Sequence, residues 1–296
     1  MPELPDVTIY AERLTDLLGG QVVEKVRLRS AFLVRTAEPP LEAIEGRRFL
    51  GAGRMQKRLV LGFDDNLWLV LHLMIAGRLR LHEKDAPLPK KTGLLALDFA
   101  QSTLVLTEQG TQKRASLHVF RSKEEARRLD RGGVDALAAS EEAFRAALLR
   151  ENRTLKRALT DQAILGGIGN AYSDEILFWA RLSPVKLTRS LTDDELGRLY
   201  VSTRQTLIEW TERTRREVGQ GFPDKVTAFR PEMAVHGKFG QACRVCGTHV
   251  QRIRYANNET NYCPRCQTGG KLLADRSLSR LLKGDFPKTI EELEGT

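Results

Sequence analysis

The chain's four cysteines, Cys243, Cys246, Cys263 and Cys266, form two Cys-x-x-Cys pairs separated by sixteen residues. Two knuckles at this spacing bring four thiolates to about 2.3 Å from one Zn²⁺ in a closed tetrahedron. The alternatives are two disulfides or a redox dithiol. Disulfides suit secreted chains, whereas the opening MPELPDVTIY, with Glu3 and Asp6, is wrong for a secretory leader. A redox pair follows a strand in a βαβ unit, and no such pattern surrounds these cysteines. The spacing therefore predicts one structural zinc, with no coordination position open to a substrate. Residues 238–271 carry Lys238, Arg244, Arg252, Arg254, Arg265 and Lys271 against a single acid, Glu259. A zinc-pinned hairpin with that balance is suited to contact phosphates.

A second constellation lies in RTLKRALTDQAILGGIGNAYSDEILFWA, residues 153–180. Two helices are expected there, joined by Gly166-Gly167-Ile168-Gly169, with Asn170 as the N-cap of the second and Asp174 and Glu175 near its first turn. Free N–H groups at such a helix start form an anion site. Glycine turns also simply join helices, so the segment alone leaves phosphate binding open.

These groups need a scaffold. The first 120 residues read as mostly β: segments 21–28, 57–63, 67–73, 77–81, 94–99 and 103–107 are short, rich in Val and Leu, and split by turn residues. Asp64-Asp65-Asn66 marks a hairpin. Short strands at this spacing favour a sandwich or barrel over a parallel sheet. One helix opens the chain, with Val7, Tyr10, Leu14 and Leu17–Leu18 on one face. SKEEARRLDRGG reads as an interdomain connection. Beyond it the periodicity is helical, with a helix start at Ser140 and a capping box at Thr192–Glu195, whose stripe runs Leu196, Leu199, Tyr200, Leu207 and Trp210. The implied division is residues 1–121, a linker at 122–139, a helical domain at 140–235, a zinc module at 236–270 and an extension at 271–296. In the extension, LADRSLSRLLKGD is expected to form an amphipathic helix through Leu278, Leu281 and Leu282 that packs on the zinc module.

Composition sets bounds on partners. The 296 residues hold 47 Lys+Arg against 38 Asp+Glu, a formal charge of +9, and 41% are hydrophobic. That is enough for real cores, and no apolar run approaches the ~18 residues of a membrane span. The positive surplus suits a polyanion without naming one.

Taken in order, PELPD at 2–6, HLMIAGRLR at 72–80, GGIGNAYSDEILF at 166–178 and the four-cysteine hairpin ending CPRCQ resemble the formamidopyrimidine-DNA glycosylase and endonuclease VIII family of base-excision repair enzymes. The resemblance covers roughly residues 1–267, and PELP leans toward the formamidopyrimidine branch. It implies an α+β multidomain fold: an N-terminal β-sandwich catalytic domain with an opening helix, a helical helix–two-turn–helix domain and a zinc-finger β-hairpin. It implies DNA, damaged or abasic, as partner, no membrane, a monomer, and a cytoplasmic, nucleoid-associated protein.

The N-terminus then acquires chemistry. Initiator Met before a small residue such as Pro2 is normally removed, leaving a secondary amine. An α-amino group titrates near 8 against about 10.4 for lysine, so its neutral, nucleophilic fraction at neutral pH is larger by roughly a few hundredfold. Attack on the deoxyribose C1′ gives an iminium, an electron sink that acidifies the C2′ hydrogen and permits elimination of the flanking phosphates. Glu3 is placed to protonate the ring oxygen and shuttle protons. The resemblance assigns these roles to Pro2 and Glu3. It puts Lys57 at the scissile phosphate and Lys156 and Asn170 at phosphates around the helical turn.

The sequence departs from the family pattern where the lesion is read. Relatives fill the gap left by the extruded base with a Met from one loop and an Arg-x-Phe pair from another. Here Ile75 stands at the Met position. The second loop, Thr107–Ala115, offers Arg114 but no phenylalanine. The Gly-Thr-Thr-rich reading loop is replaced by GQGFPDKVTAFRP, residues 219–231, with Phe222 and Phe229 in place of hydroxyl donors. At the zinc hairpin tip Asn258 stands where an arginine is expected, beside Glu259, which is unfavourable if that tip faces DNA; Arg252 and Arg254 are the candidate replacements. The leading reading is a bifunctional glycosylase and abasic-site lyase. A DNA-structure-binding protein of the same fold, with weak or no base excision or acting mainly on abasic or single-stranded substrates, is the second. An RNA- or ribosome-associated zinc ribbon leaves PELPD and GIGNAYSDE unexplained.

Overall fold

The computed structural model describes residues 1–224, 226–255, 258–273 and 287–295. Contacts divide it into two units: Met1–Arg131 with Glu209–Ala228, and Gly132–Ile208 with Phe229–Thr296.

The first unit is a β-sandwich with a helix at its start. Helix α1 (Leu4–Leu18) opens with a reciprocal capping box between Glu3 and Asp6 and buries Val7, Tyr10, Leu14 and Leu18. One antiparallel sheet orders β1 (Lys25–Leu28), β6 (Gly93–Asp98), β7 (Ser102–Glu108) and β5 (Gly77–Glu83). The other orders β2 (Phe49–Met55), β3 (Arg58–Phe63), β4 (Trp68–His72) and β8 (Ser116–Phe120). Leucines alternate inward from both sheets, Leu59, Leu61, Leu69, Leu71 and Leu117 meeting Leu79, Leu95, Leu97, Leu104 and Leu106. Helix α1 packs on β2 and β3. The β3–β4 hairpin turns through Asp65 and Asn66 at φ 51° and 56°, the left-handed pair that a two-residue turn of this kind requires.

Two connections cross between the sheets at one end. Residues 73–76 lead from β4 to β5, and residues 109–115 lead from β7 to β8. Register places them side by side, since Gly77 pairs with Glu108, His72 with Ser116 and Arg58 with His72. The 55–58 turn between β2 and β3 therefore lies at this same end. The expected strands are present; β2 and β8 were not foreseen, β2 because FLGAGRM has two glycines and no clean alternation.

A short helix, α2 (Lys123–Ala126), follows β8; the second unit then holds a parallel pair of β9 (Val134–Asp135) and β10 (Leu165–Gly166), α3 (Glu141–Leu149), α4 (Leu155–Thr160), α5 (Asn170–Trp179), the first part of α6 (Asp193–Val218) and a zinc-finger hairpin of β11 (Gln251–Tyr255) and β12 (Asn258–Tyr262). The Thr192–Glu195 capping box forms, Thr192 N–H donating to the Glu195 carboxylate at 2.9 Å and Glu195 N–H to Thr192 Oγ1 at 3.3 Å. The expected helix through Leu278, Leu281 and Leu282 lies outside the described residues. A short helix at Ile290–Glu294 follows, with Ile290 fully buried and its N–H donating to the Gly270 carbonyl of the zinc module at 2.9 Å. No described helix is long and apolar enough to cross a membrane.

Candidate nucleic-acid interface and active site

At the crossing end of the sandwich, Pro2 and Glu3 are buried where α1 begins. The capping box holds the Glu3 backbone, its N–H donating to Asp6 Oδ2 at 2.9 Å, so the residue next to Pro2 is fixed. Burial lowers the pKa of the terminal amine, here that of Met1; the cations Arg78 and Lys57 push the same way and Glu3 and Asp6 oppose them. The pocket thus favours a neutral amine, the form that attacks carbon. Lys57 is 6% exposed and follows Gln56, whose φ of 55° makes the turn.

Three residues that sequence reasoning did not single out organise this end. Arg78 donates to the carbonyls of Ile75 and Gly77 at 3.1 and 2.7 Å and to that of Val226 at 2.8 Å, tying the 73–76 turn to the 219–228 segment. His72 accepts the Met74 N–H on Nδ1 at 3.0 Å. Its pKa is pushed down to about 4 by burial, with Arg58 and Lys57 adding to the effect, so the neutral ring remains an acceptor. Glu108, 2% exposed, accepts the Arg114 N–H on both carboxylate oxygens at 2.9 and 3.0 Å and the Ala115 N–H at 3.1 Å. That latch shapes the 109–115 loop without a phenylalanine. HLMIAGRLR carried the signal for the first two, a polar residue on either side of a turn closed by glycine. A Cβ on Gly77 would come within 2.2 Å of the Leu73 carbonyl.

The turns present what the sequence put at their tips. Ile75 is 60% exposed, unusual for an isoleucine, and Arg114 is exposed with its guanidinium donating to Gln112 Oε1 at 2.8 Å.

In the second unit the glycine-rich turn is pinned by Gln162, which accepts the Gly167 N–H at 2.8 Å and donates to the Ile168 carbonyl at 2.9 Å. The N-cap of α5 is Gly169, not Asn170, which is the first helical residue. The Asn170 amide instead reaches the zinc hairpin, donating to the Glu259 carbonyl at 2.9 Å. Lys156 donates to the Asn170 carbonyl, Ser173 Oγ and Asp174 Oδ1 at 2.7, 2.8 and 2.6 Å. Asp174, buried, also meets His236 Nδ1 at 2.7 Å, and the buried Glu175 carboxylate accepts the N–H groups of Ala234, Val235 and His236. Lys156 and Asn170 are thus brought together in a polar network that joins the helical turn to the zinc module. Glu259 has a counter-charge on its own hairpin, Arg252 lying 3.4 Å from its carboxylate, and Arg254 stands opposite it in the strand register. Arg254 is exposed.

The four cysteine sulfurs lie within 4.8 Å of one another, with Cys243–Cys266 at 3.9 Å and Cys246–Cys263 at 3.4 Å. A tetrahedron with arms of about 2.3 Å has edges of about 3.8 Å, so the cluster fits one Zn²⁺ and the separations exclude disulfide bonds. The Val245 and Cys266 N–H groups point at Cys243 and Cys263 Sγ at 3.5 Å, the donors a thiolate set needs.

Comparison with known proteins agrees with this architecture. Residues 1–114 match the formamidopyrimidine-DNA glycosylase N-terminal domain, 133–219 the H2TH domain of that enzyme, and 240–269 the zinc finger found in FPG and IleRS. The formamidopyrimidine-DNA glycosylase of Heliobacterium modesticaldum is 32% identical over 280 residues, covering 90% of this chain and all of the relative. That of Laribacter hongkongensis is 34% identical over 273 residues, with the same coverage. Among solved structures, a complex of Lactococcus lactis Fpg with DNA containing an abasic site superposes with a TM-score of 0.78 at 26% identity, over 90% of this chain and 99% of that one. MutM in complex with DNA containing carbocyclic 8-oxo-G gives 0.80 at 26%, over 90% and 100%. With sandwich, helical turn and zinc cluster all accounted for over nearly its whole length, the chain belongs to the formamidopyrimidine-DNA glycosylase family and carries that family's single structural zinc.

Proposed function

We propose that this chain is a base-excision DNA glycosylase with abasic-site lyase activity, in which Pro2, freed by removal of Met1, is the nucleophile. The observation that carries this reading is the placement of the N-terminus: Pro2 and Glu3 are buried side by side at the start of α1, and Lys57 and Arg78 bear on the amine of the preceding Met1. The Pro2 nitrogen bonds to C1′ as the damaged base departs with a proton, and Glu3 protonates the opening ring oxygen. The nitrogen lone pair then forms the iminium. Loss of the C2′ proton expels the 3′ phosphate, and a second elimination expels the 5′ phosphate. Lys57 holds the scissile phosphate and stabilises its charge.

Ile75 and Arg114 face the duplex at the gap left by the lesion. Asn170, Arg252 and Arg254 contact the backbone, and Lys156 acts there by fixing Asn170. The zinc, with four protein thiolates, holds the hairpin and takes no part in the chemistry. The protein acts as a monomer on damaged or abasic DNA in the cytoplasm, associated with the nucleoid. Base identity is read by the loops and not by the basic residues, which bind any sequence alike. Incubation with abasic-site DNA and borohydride tests the reading. A covalent protein–DNA adduct is expected with wild type and a strongly reduced one with Pro2→Gly; no adduct with wild type refutes it.

A further inference from the structure

The two phenylalanines of the 219–231 segment have separate fates. The Phe222 ring lies 5.6 Å from Tyr10 and joins the sandwich core. Phe229, in the other unit, is 67% exposed. Its ring stacks on His236, with centroids 5.5 Å apart and planes 18° from parallel. His236 is 3% exposed and fixed twice: its Nδ1 meets Asp174 Oδ2 at 2.7 Å, and its backbone N–H donates to Glu175 at 3.0 Å. Gly237 has a φ of +71°, and a Cβ there would come within 2.9 Å of the Phe229 ring, so glycine makes room for the stack. Nearby in sequence, Phe239 is 47% exposed and carries the Arg252 guanidinium over its face at 4.1 Å. An exposed ring with a planar nitrogenous group stacked on it has the chemistry of a platform on which a nucleobase stacks.

We propose that Phe229 is a stacking platform for an unpaired nucleobase of bound DNA, recognising it by its π face and not by hydrogen bonds to its edge. The inference rests on the DNA-repair reading above and adds how a base is held. Hydroxyl donors select an edge pattern, whereas an aromatic plane accepts any base that is already unstacked. Asp174 and Glu175, which hold His236, are positioning residues for this platform.

The test uses the full-length, zinc-loaded protein and two duplexes, one with an unpaired 2-aminopurine and one with a tetrahydrofuran abasic analogue, which lacks a base, at the same position. Wild type is expected to quench the 2-aminopurine emission. Phe229→Ala should lose the quench and bind that duplex about tenfold more weakly, and Phe229→Trp should restore both. The difference should be confined to the duplex that carries the base. Undiminished quenching and affinity in Phe229→Ala overturns the proposal. So does an equal loss on the tetrahydrofuran duplex, which marks a structural role. Failure of wild type to form a borohydride adduct refutes the lyase reading and leaves the quenching result standing, so the two are separable.

Discussion

The hydrogen bond from Met74 N–H to His72 holds a turn whose Met74 sits at φ 53° and whose neighbour Ile75 faces solvent. It requires a neutral imidazole, which burial secures by pushing the pKa from 6.5 to about 4. As the pH falls through about 6.5 the unfolded chain takes up a proton at His72, while the folded chain does so only near 4. The unfolded state binds more protons across that window, so stability is lost as the pH falls from about 6.5 to about 4 and levels off below it. The full gap corresponds to roughly 3 kcal/mol. His72 retains some contact with water, so about 2 kcal/mol is the expected contribution. His72→Asn keeps a carbonyl acceptor close to the position of Nδ1 and removes the titration. Urea unfolding followed by tryptophan fluorescence, near pH 7 and near pH 4.5, makes the comparison, and carboxylates common to both proteins cancel. Wild type should lose about 2 kcal/mol more than the variant between the two conditions. Parallel pH profiles would refute the claim that His72 is held neutral by the fold.

Two further outcomes follow from the second unit. Asp174→Ala leaves the Lys156 ammonium and His236 Nδ1 without the carboxylate they share, and should cost about 3–5 kcal/mol in urea unfolding; a cost under about 1 kcal/mol would show the network to be incidental. Chelation of the zinc, or Cys263→Ser, should release the hairpin that carries Arg252 and Arg254 and weaken DNA binding at least tenfold, with a shallower salt dependence. Full affinity in the metal-free protein would contradict that placement.

Much of this molecule was legible in the sequence because its signals are local. Cysteine spacing is local, and so are the capping box at Thr192, the Asp65-Asn66 turn and the apolar stripe of α1. What escaped depends on register and on long-range return. Glu108 looks like an ordinary acid at a strand end until the chain turns back and points two N–H groups at it. Residues 209–228 rejoin the first unit after an excursion through the second, which linear order cannot show. Asn170 has the residue type of an N-cap, yet Gly169 takes that position with an extended backbone, and the Asn170 amide is engaged instead by the zinc hairpin, far along the chain. Likewise Glu259 looked misplaced at a DNA-facing tip, and Arg252 on its own hairpin answers its charge. Phe222 and Phe229 cannot be told apart by type; only packing sends one to the core and leaves the other exposed.

The central claim is that one particular nitrogen, that of Pro2, forms the bond to DNA. Proteolysis of the borohydride-trapped complex on abasic-site DNA, followed by mass spectrometry of the nucleotide-bearing peptide, locates that bond. The account predicts a peptide that begins at Pro2, lacks Met1 and carries the sugar remnant on its terminal nitrogen. Attachment at Lys57 or any other lysine, or to a chain that retains Met1, would contradict it.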